Sequence, residues 1–255
     1  MRNTETTFAL PNIPNLREVG GFYSEKYKKN IRGGILLRSP SLQMANVEDI
    51  NLLVNNNLKL VVDLRSEHEV REEGNGLAQS YYDEQIITYK NLPLLSNSEW
   101  EKDPVGSIVD FSNRGNHYLK YLQANKFVIK DIFDSIFDHA IESKASIIHC
   151  AFGKDRTGVI SAVLQDLLGA DKSLVVNSFT QSHLHVEDLV TYFANSKTYK
   201  RDIGTTDLSF MKPKKESVIS FLESFYKEFG GANKYLTSLS IEQIKIDKFL
   251  SSMFL

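Results

Sequence analysis

Apolar residues fall along the chain in short runs and in helical repeats that alternate over the first two-thirds. Ile35-Leu36-Leu37 follows the Gly33-Gly34 turn, and Leu58 to Leu64 is an almost unbroken apolar run ending at Arg65. Runs of this length without polar alternation predict strands buried on both faces. Ile86 to Leu95 is a third strand-like stretch, running into a loop at Pro93, and the residues leading to Cys150 form a fourth. Between them the period changes. Val47, Ile50, Leu53 and Val54 have helical spacing, and Ser66 followed by Glu69 has the pattern of a helix-opening capping box. The polar stretch Ser96 to Asn116 reads as loop. His117 to Glu142 reads as one long amphipathic helix, with Tyr118, Tyr121, Leu122, Val128, Ile129, Ile132, Ile136 and Phe137 on its apolar positions. The pairs Val159-Ile160, Val163-Leu164 and Leu167-Leu168 recur every four residues and predict a buried helix stopped by Gly169.

Beyond Ala170 only helical periods remain: two patterns in Asp171 to Asn195, one in Pro213 to Phe229, and a last from Ser240 to Leu250. Strand–helix alternation predicts an α/β fold, a central, mostly parallel sheet flanked by helices. The later periods add C-terminal and lid helices. With no linker in view, residues 1–255 read as a single domain and 171–215 as a possible lid. Ligands of such sheets bind at the carboxyl ends of the strands, and Cys150 falls at one.

Composition narrows the classes. A net charge of −2 over 255 residues gives no global field for nucleic acid or acidic membrane. One cysteine excludes an internal disulfide. Met1 to Pro14 lacks an apolar core of signal-peptide length, and no window reaches membrane-span length, so no integral membrane segment is expected. The plain reading is a cytoplasmic protein; an exported one whose leader had been removed would have the same composition. Nothing in the composition sets an oligomeric state.

The candidate chemistry is concentrated in Ser146-Ile-Ile-His-Cys-Ala-Phe-Gly-Lys-Asp-Arg-Thr-Gly158. A strand feeding a tight loop that opens a helix aims backbone N–H groups and the positive helix end at one point, a suitable seat for phosphate. The same field favours the thiolate of Cys150 as nucleophile. Ala151, Phe152, Gly153 and Lys154 supply the loop, and Arg156 a fixed fork for two phosphate oxygens. A surface arginine at a helix start, already the positive end, is electrostatically awkward without an anion.

His149-Cys150, five residues, then Arg156-Thr157 resembles the signature of the cysteine-dependent protein tyrosine phosphatases. The fuller His-Cys-x-x-Gly-Lys-Asp-Arg-Thr-Gly form is similar to their bacterial and fungal branch. Asn15-Leu16-Arg17-Glu18-Val19-Gly20-Gly21, Leu37-Arg38-Ser39-Pro40-Ser41-Leu42, Val62-Asp63-Leu64-Arg65-Ser66 and Tyr226 to Leu236 resemble further segments of that branch, in order along the chain.

The resemblance implies that Cys150 attacks phosphorus and forms a phosphocysteine, which water then hydrolyses, with no metal and no cofactor. It gives Thr157 a hydrogen bond to the sulfur and His149 the orientation of the loop; a helix-start hydroxyl and a core histidine are the competing readings. Many relatives take their general acid from a Trp-Pro-Asp loop. Here Asn91-Leu92-Pro93-Leu94-Leu95 has no Asp, and Trp100 is followed by Glu101. Asp155 is therefore the expected acid, against a plain helix N-terminal aspartate; Asp103 and Asp110 are weaker alternatives. Phosphotyrosine proteins are the expected substrates, with phosphoserine/threonine proteins beside them; Lys154 adds positive charge at the pocket wall, which makes phosphoinositides the alternative substrate class, against a plain surface lysine. Arg17, Arg38 and Arg65 are expected at the rim or as supports, with a structural salt bridge to Asp63 or Glu67 as the alternative. Ser178-Phe179-Thr180-Gln181-Ser182 lacks the acidic residue of the corresponding family segment. His183, His185 and Glu187 are spaced around a helix and not on one face, against a metal site. A rhodanese-like sulfurtransferase and a non-catalytic phosphate-binding module are the readings from other classes.

Overall fold

The apolar runs become strands in the computed structural model, which describes residues 10–94, 114–124, 126–200, 203 and 211–255. The strands are β1 (Arg17–Glu18), β2 (Tyr23–Ser24), β3 (Lys29–Asn30), β4 (Leu36–Ser39), β5 (Leu58–Asp63), β6 (Thr88–Asn91) and β7 (Ala145–His149). Five of them form a sheet in the order β1-β4-β7-β5-β6, and β2 and β3 pair separately. β4, β7, β5 and β6 run parallel, and only β1 is antiparallel to its neighbour. The register sets Ser39 and Asp63 on either side of His149, so the carboxyl ends of three strands meet at Cys150.

Successive side chains of a strand leave opposite faces, which explains why these runs are apolar throughout. Leu36, Val62 and Ile148 enter one core, and Leu37, Val61 and Ile147 the other. The smaller core is closed by helices α1 (Val47–Asn55) and α3 (Ala78–Asp83), with α2 (Glu67–Glu73) between them in the chain. The larger core is built by α4 (Arg114–Ala124), α5 (Lys126–Ile141), α6 (Asp155–Leu167) and α7 (Lys172–Thr180). A 3-10 turn (Gln181–His185) and α8 (Val186–Phe193) follow, and α9 (Lys215–Phe229), α10 (Ala232–Ser238) and α11 (Gln243–Met253) complete the chain. No helix among the described residues is long and apolar enough to cross a membrane.

One expectation is corrected. The single helix read over His117 to Glu142 is two helices, Arg114–Ala124 and Lys126–Ile141. They serve different partners: α4 packs on α9, and α5 packs on α11 and the sheet. A straight helix could not present one apolar stripe to both. The short α10 also escaped the periodicity, having only seven residues. Trp100, Glu101, Asp103 and Asp110 lie outside the described residues.

Candidate active site

The loop between β7 and α6 is held from behind. Leu64 N–H donates to His149 O at 2.8 Å, and Ser41 N–H to Ala151 O at 2.9 Å. Asn15 Nδ2 donates to Phe152 O at 2.8 Å and to Gly153 O at 3.2 Å. Arg38 Nη2 reaches Gly153 O at 2.8 Å and Lys154 O at 3.2 Å. His149 Nδ1 lies 3.1 Å from Cys150 O; since a carbonyl only accepts, this nitrogen carries the proton. Every carbonyl from residue 149 to 154 is thus occupied on the outer side. The N–H groups of Ala151, Phe152, Gly153 and Lys154 find no acceptor among the described residues. A peptide plane whose oxygen points out turns its N–H inward, so the loop is an amide cradle around Cys150, itself 3% exposed.

Two residues need unusual backbone to make this shape. Gly153 has φ +62, and a Cβ there would sit 2.2 Å from Ser39 O, so no side chain fits. Asn15 has φ 73, a left-handed conformation that asparagine tolerates better than most residues.

Arg156 stands at the first turn of α6 and is 6% exposed. Its guanidinium grips Glu69 with two hydrogen bonds, 2.6 and 2.7 Å, and donates to Leu64 O at 3.3 Å. Glu69 is fully buried and also completes the capping box of α2, accepting from Ser66 N–H at 2.7 Å, and takes the Tyr199 hydroxyl at 2.7 Å. Against the cost of burial, the Arg156 charge holds Glu69 below the usual carboxylate range, and Glu69 in turn holds Arg156 above its ordinary value.

His149 is buried, and desolvation lowers its pKa below the ordinary histidine value, against the pull of Asp63 whose Oδ1 is 3.7 Å from Nδ1. It is therefore a neutral ring steering the Cys150 carbonyl. Its Nε2 has no partner among the described residues. Asp63 pairs with Arg65 at 2.6 Å and accepts from Tyr89 Oη at 2.8 Å.

The three outlying arginines are supports, and the rim expectation is corrected: Arg17 is 4% exposed, and Arg38 and Arg65 are 0%. Arg65 takes the salt bridge to Asp63 and reaches Gly74 O and Asn75. Arg17 donates to Asn15 O at 2.8 Å and to the Asn15 side chain, and on its other side to Ser178 O and Ser182 Oγ. Backbone and hydroxyl groups of the segment that lacks an acidic residue are thus Arg17's partners. Arg38 lies directly behind the loop, with the Phe179 ring 5.9 Å away. Arg17 and Arg38 are register partners across β1 and β4, and Arg65 sits two residues past the end of β5.

The loop's own polar side chains face a different wall. Lys154 is 5% exposed and donates to Met211 O at 2.5 Å, with Asp155 Oδ2 at 3.3 Å from its ammonium. The Tyr118 hydroxyl donates to Asp155 Oδ1 at 2.7 Å. Thr157 is buried, and its hydroxyl has no partner among the described residues, so the expected bond to the Cys150 sulfur is not formed here. The carbonyl a helical threonine commonly uses four residues back is Gly153 O, already held by Asn15 and Arg38. Phe152 packs on Phe193 and Tyr199, joining the loop to α8 and the segment after it. His183 and His185 lie on the 3-10 turn, and the described residues contain no group of three or more potential metal ligands.

Asn15, Glu69, Tyr118 and Tyr199 belong to this site and were not singled out from sequence. Glu69 was visible only as a cap, and Tyr118 only as an apolar helical position. Asn15 stands in sequence only as the first residue of the Asn15 to Gly21 segment, and nothing local ties it to loop carbonyls 137 residues away.

Comparison with known proteins identifies the family. The sequence model described as the tyrosine phosphatase family matches residues 8–254. A Nostoc commune protein named tyrosine-protein phosphatase is 23% identical over 222 residues, 83% of this chain and 71% of that one. A Cupriavidus necator protein with a provisional name of the same kind is 25% identical over 178 residues, 69% of this chain and 62% of that one. The crystal structure of TpbA from P. aeruginosa superposes with a TM-score of 0.37 at 14% identity, covering 86% of this chain and 98% of that one. With the family match running almost end to end through the amide cradle, the protein belongs to the tyrosine phosphatase family.

Proposed function

We propose that the enzyme hydrolyses phosphotyrosine through a phosphocysteine on Cys150, without a metal. The observation that supports this most directly is the set of outward-tied carbonyls from 149 to 154, which leaves the loop amides facing the thiol. Such a cradle meets the equatorial oxygens of a phosphoryl group and holds phosphorus in line with Sγ. The Cys150 thiolate forms the S–P bond as the P–O bond to tyrosine breaks. Arg156, pre-set by Glu69, stabilises the charge spread over the equatorial oxygens. Asp155 delivers a proton to the leaving oxygen. Water then attacks phosphorus, Asp155 takes its proton, the P–S bond breaks, and phosphate and thiolate are released.

Dual specificity toward phosphoserine and phosphothreonine, and phosphoinositide hydrolysis, belong to the same chemistry and differ only in the group beyond the phosphate. Phosphate release from a panel of phosphopeptides and phosphoinositides, with wild type and Cys150→Ser, and with and without a chelator, tests the reading. Wild-type activity on phosphotyrosine peptides, lost in Cys150→Ser and indifferent to chelator, is expected. Activity that survives Cys150→Ser, or that a chelator removes, overturns it. Thiosulfate sulfurtransfer without phosphate release would favour the rhodanese alternative.

A further inference from the structure

The helix α4 brings a tyrosine onto the residue assigned above as acid. We propose that Tyr118 is a positioning residue for the proton transfer by Asp155: its hydroxyl fixes one carboxylate oxygen and stabilises the carboxylate formed as the proton leaves. The inference rests on the reading of Asp155 as the general acid.

The geometry carries it. Tyr118 Oη donates to Asp155 Oδ1 at 2.7 Å, while its ring is 1% exposed and packed against Phe179 and Phe221, with centroids 5.1 and 6.0 Å away. The ring cannot turn without disturbing the core, so the hydroxyl is a donor of fixed position. Oδ2, which has the Lys154 ammonium at 3.3 Å, is the oxygen that would deliver the proton. Among the groups that face Asp155 are Lys154 just before its helix and Arg156 on it, Arg38 from β4, Tyr118 and Tyr121 from α4, and Cys150 in the loop. Lys154 and Arg38 are cations, and Tyr118 donates a hydrogen bond, so these three favour the carboxylate over the acid. A donor that grips the carboxylate more tightly than the carboxylic acid is worth most where the proton has moved, which is at the transition state of leaving-group departure. It also fixes the rotamer, since a one-residue neighbour of the phosphate clamp must hold its proton within hydrogen-bond reach of the leaving oxygen.

The test is Tyr118→Phe, which removes the hydroxyl and keeps the ring. Turnover of phenyl phosphate is expected to fall about tenfold, a fraction of what a general acid supplies in total. Turnover of p-nitrophenyl phosphate, whose leaving group needs no proton, should fall by less than about threefold. The alkaline limb of the pH profile should move to higher pH, because a donor to the carboxylate is lost. Replacing Tyr118 by 3-fluorotyrosine, a stronger donor of the same shape, should move the limb to lower pH and serves if the Phe variant does not fold. A Tyr118→Phe enzyme whose limb and leaving-group ratio match wild type overturns the proposal, whatever its thermal midpoint. Asp155→Asn separates the two levels. If it leaves the limb and the ratio unchanged, the acid assignment itself fails; if it abolishes the limb while Tyr118→Phe does nothing, only the positioning role fails.

Discussion

The two flanks of the phosphate loop neutralise their buried charge in opposite ways. On the β5–α2 side each arginine has a carboxylate: Arg65 pairs with Asp63 and Arg156 with Glu69, both at 2.6 Å. On the β1–β4 side Arg17 and Arg38 are just as buried, yet among the described residues their hydrogen-bond partners are carbonyls, an amide and a hydroxyl. Proton affinity reflects the difference. Burial lowers Arg38 to about 10, and burial together with Arg38 lowers Arg17 well below the usual value, while their carboxylates hold Arg65 and Arg156 above it. Both unpaired guanidiniums also leave an Nε without a partner among the described residues. The paired flank is complete before any ligand arrives and sets the geometry. On the unpaired flank no carboxylate hydrogen-bonds either guanidinium among the described residues, and Asp155 acts on Arg38 only through space, so its positive charge is offset less completely until an anion, thiolate or phosphate, occupies the cradle. One flank should therefore govern stability and the other anion affinity.

Glu69→Gln is the strongest way to break this division. It leaves Arg156 buried without its counter-charge and weakens the capping box of α2 at the same stroke. Removing one partner of a buried pair costs about 3–5 kcal/mol, so the thermal midpoint should fall by roughly 10 °C for a chain of this size. A midpoint within about 2 °C of wild type would show that the flank is not the stability element.

Arg38→Met should give the reverse pattern. Gly153 O keeps Asn15 as donor at 3.2 Å and Lys154 O keeps Gly158 N–H at 2.9 Å, so no loop carbonyl is orphaned. Unfolding in urea should change by no more than about 2 kcal/mol, the scale of a hydrogen bond to a charged donor. The loss of a cation behind the cradle, at an effective dielectric near 20, is worth roughly 1–2 kcal/mol of anion binding. Vanadate inhibition should weaken about five- to thirtyfold. If Arg38→Met unfolds the protein and leaves vanadate inhibition intact, the assignment of the flanks is inverted.

Local pattern carried the centre of the site and missed its supports for one reason. Cys150, Arg156 and the strand before them lie within a dozen residues, where period, turn chemistry and spacing all act. The supports lie 87 residues away for Glu69 and Arg156, and 137 for Asn15 and Phe152. The capping box at Ser66 and Glu69 is present as read. What the sequence could not show is that a residue three into a helix also faces the loop of another strand. Tyr118 is instructive in a different way. Its ring is the apolar helical position the periodicity predicts, and only its terminal oxygen belongs to the site. Arg38 and Arg65 follow similar apolar runs, and the one local sign that separates them is Asp63, two residues before Arg65. The single long helix failed because periodicity measures amphipathicity and not which partner each stripe meets.

The smallest expected effect tests whether the unpaired flank is electrically isolated from its neighbour on β1. Glu18 follows Arg17, but alternation along the strand sends the two side chains to opposite faces. Its carboxylate oxygens accept from Gly34 N–H at 2.9 and 3.0 Å, and burial, opposed by that hydrogen bond, raises its pKa to about 7. In the unfolded chain a glutamate titrates near its ordinary value of about 4.3. The folded state therefore holds a proton that the unfolded state has lost between these two values. Glu18 contributes stability that is fully present below the unfolded value and disappears as pH rises through about 7. Glu18→Gln keeps the neutral form at every pH. Its thermal midpoint should match wild type at acid pH and exceed it near pH 8, by a margin that opens as pH rises through about 7. Vanadate inhibition measured in the same series should not change, because Glu18 compensates neither Arg17 nor Arg38. A Glu18→Gln enzyme with altered oxyanion affinity would mean that the flank's positive charge is already balanced from across the strand, and the contrast with the Asp63–Glu69 side would lose its electrostatic basis.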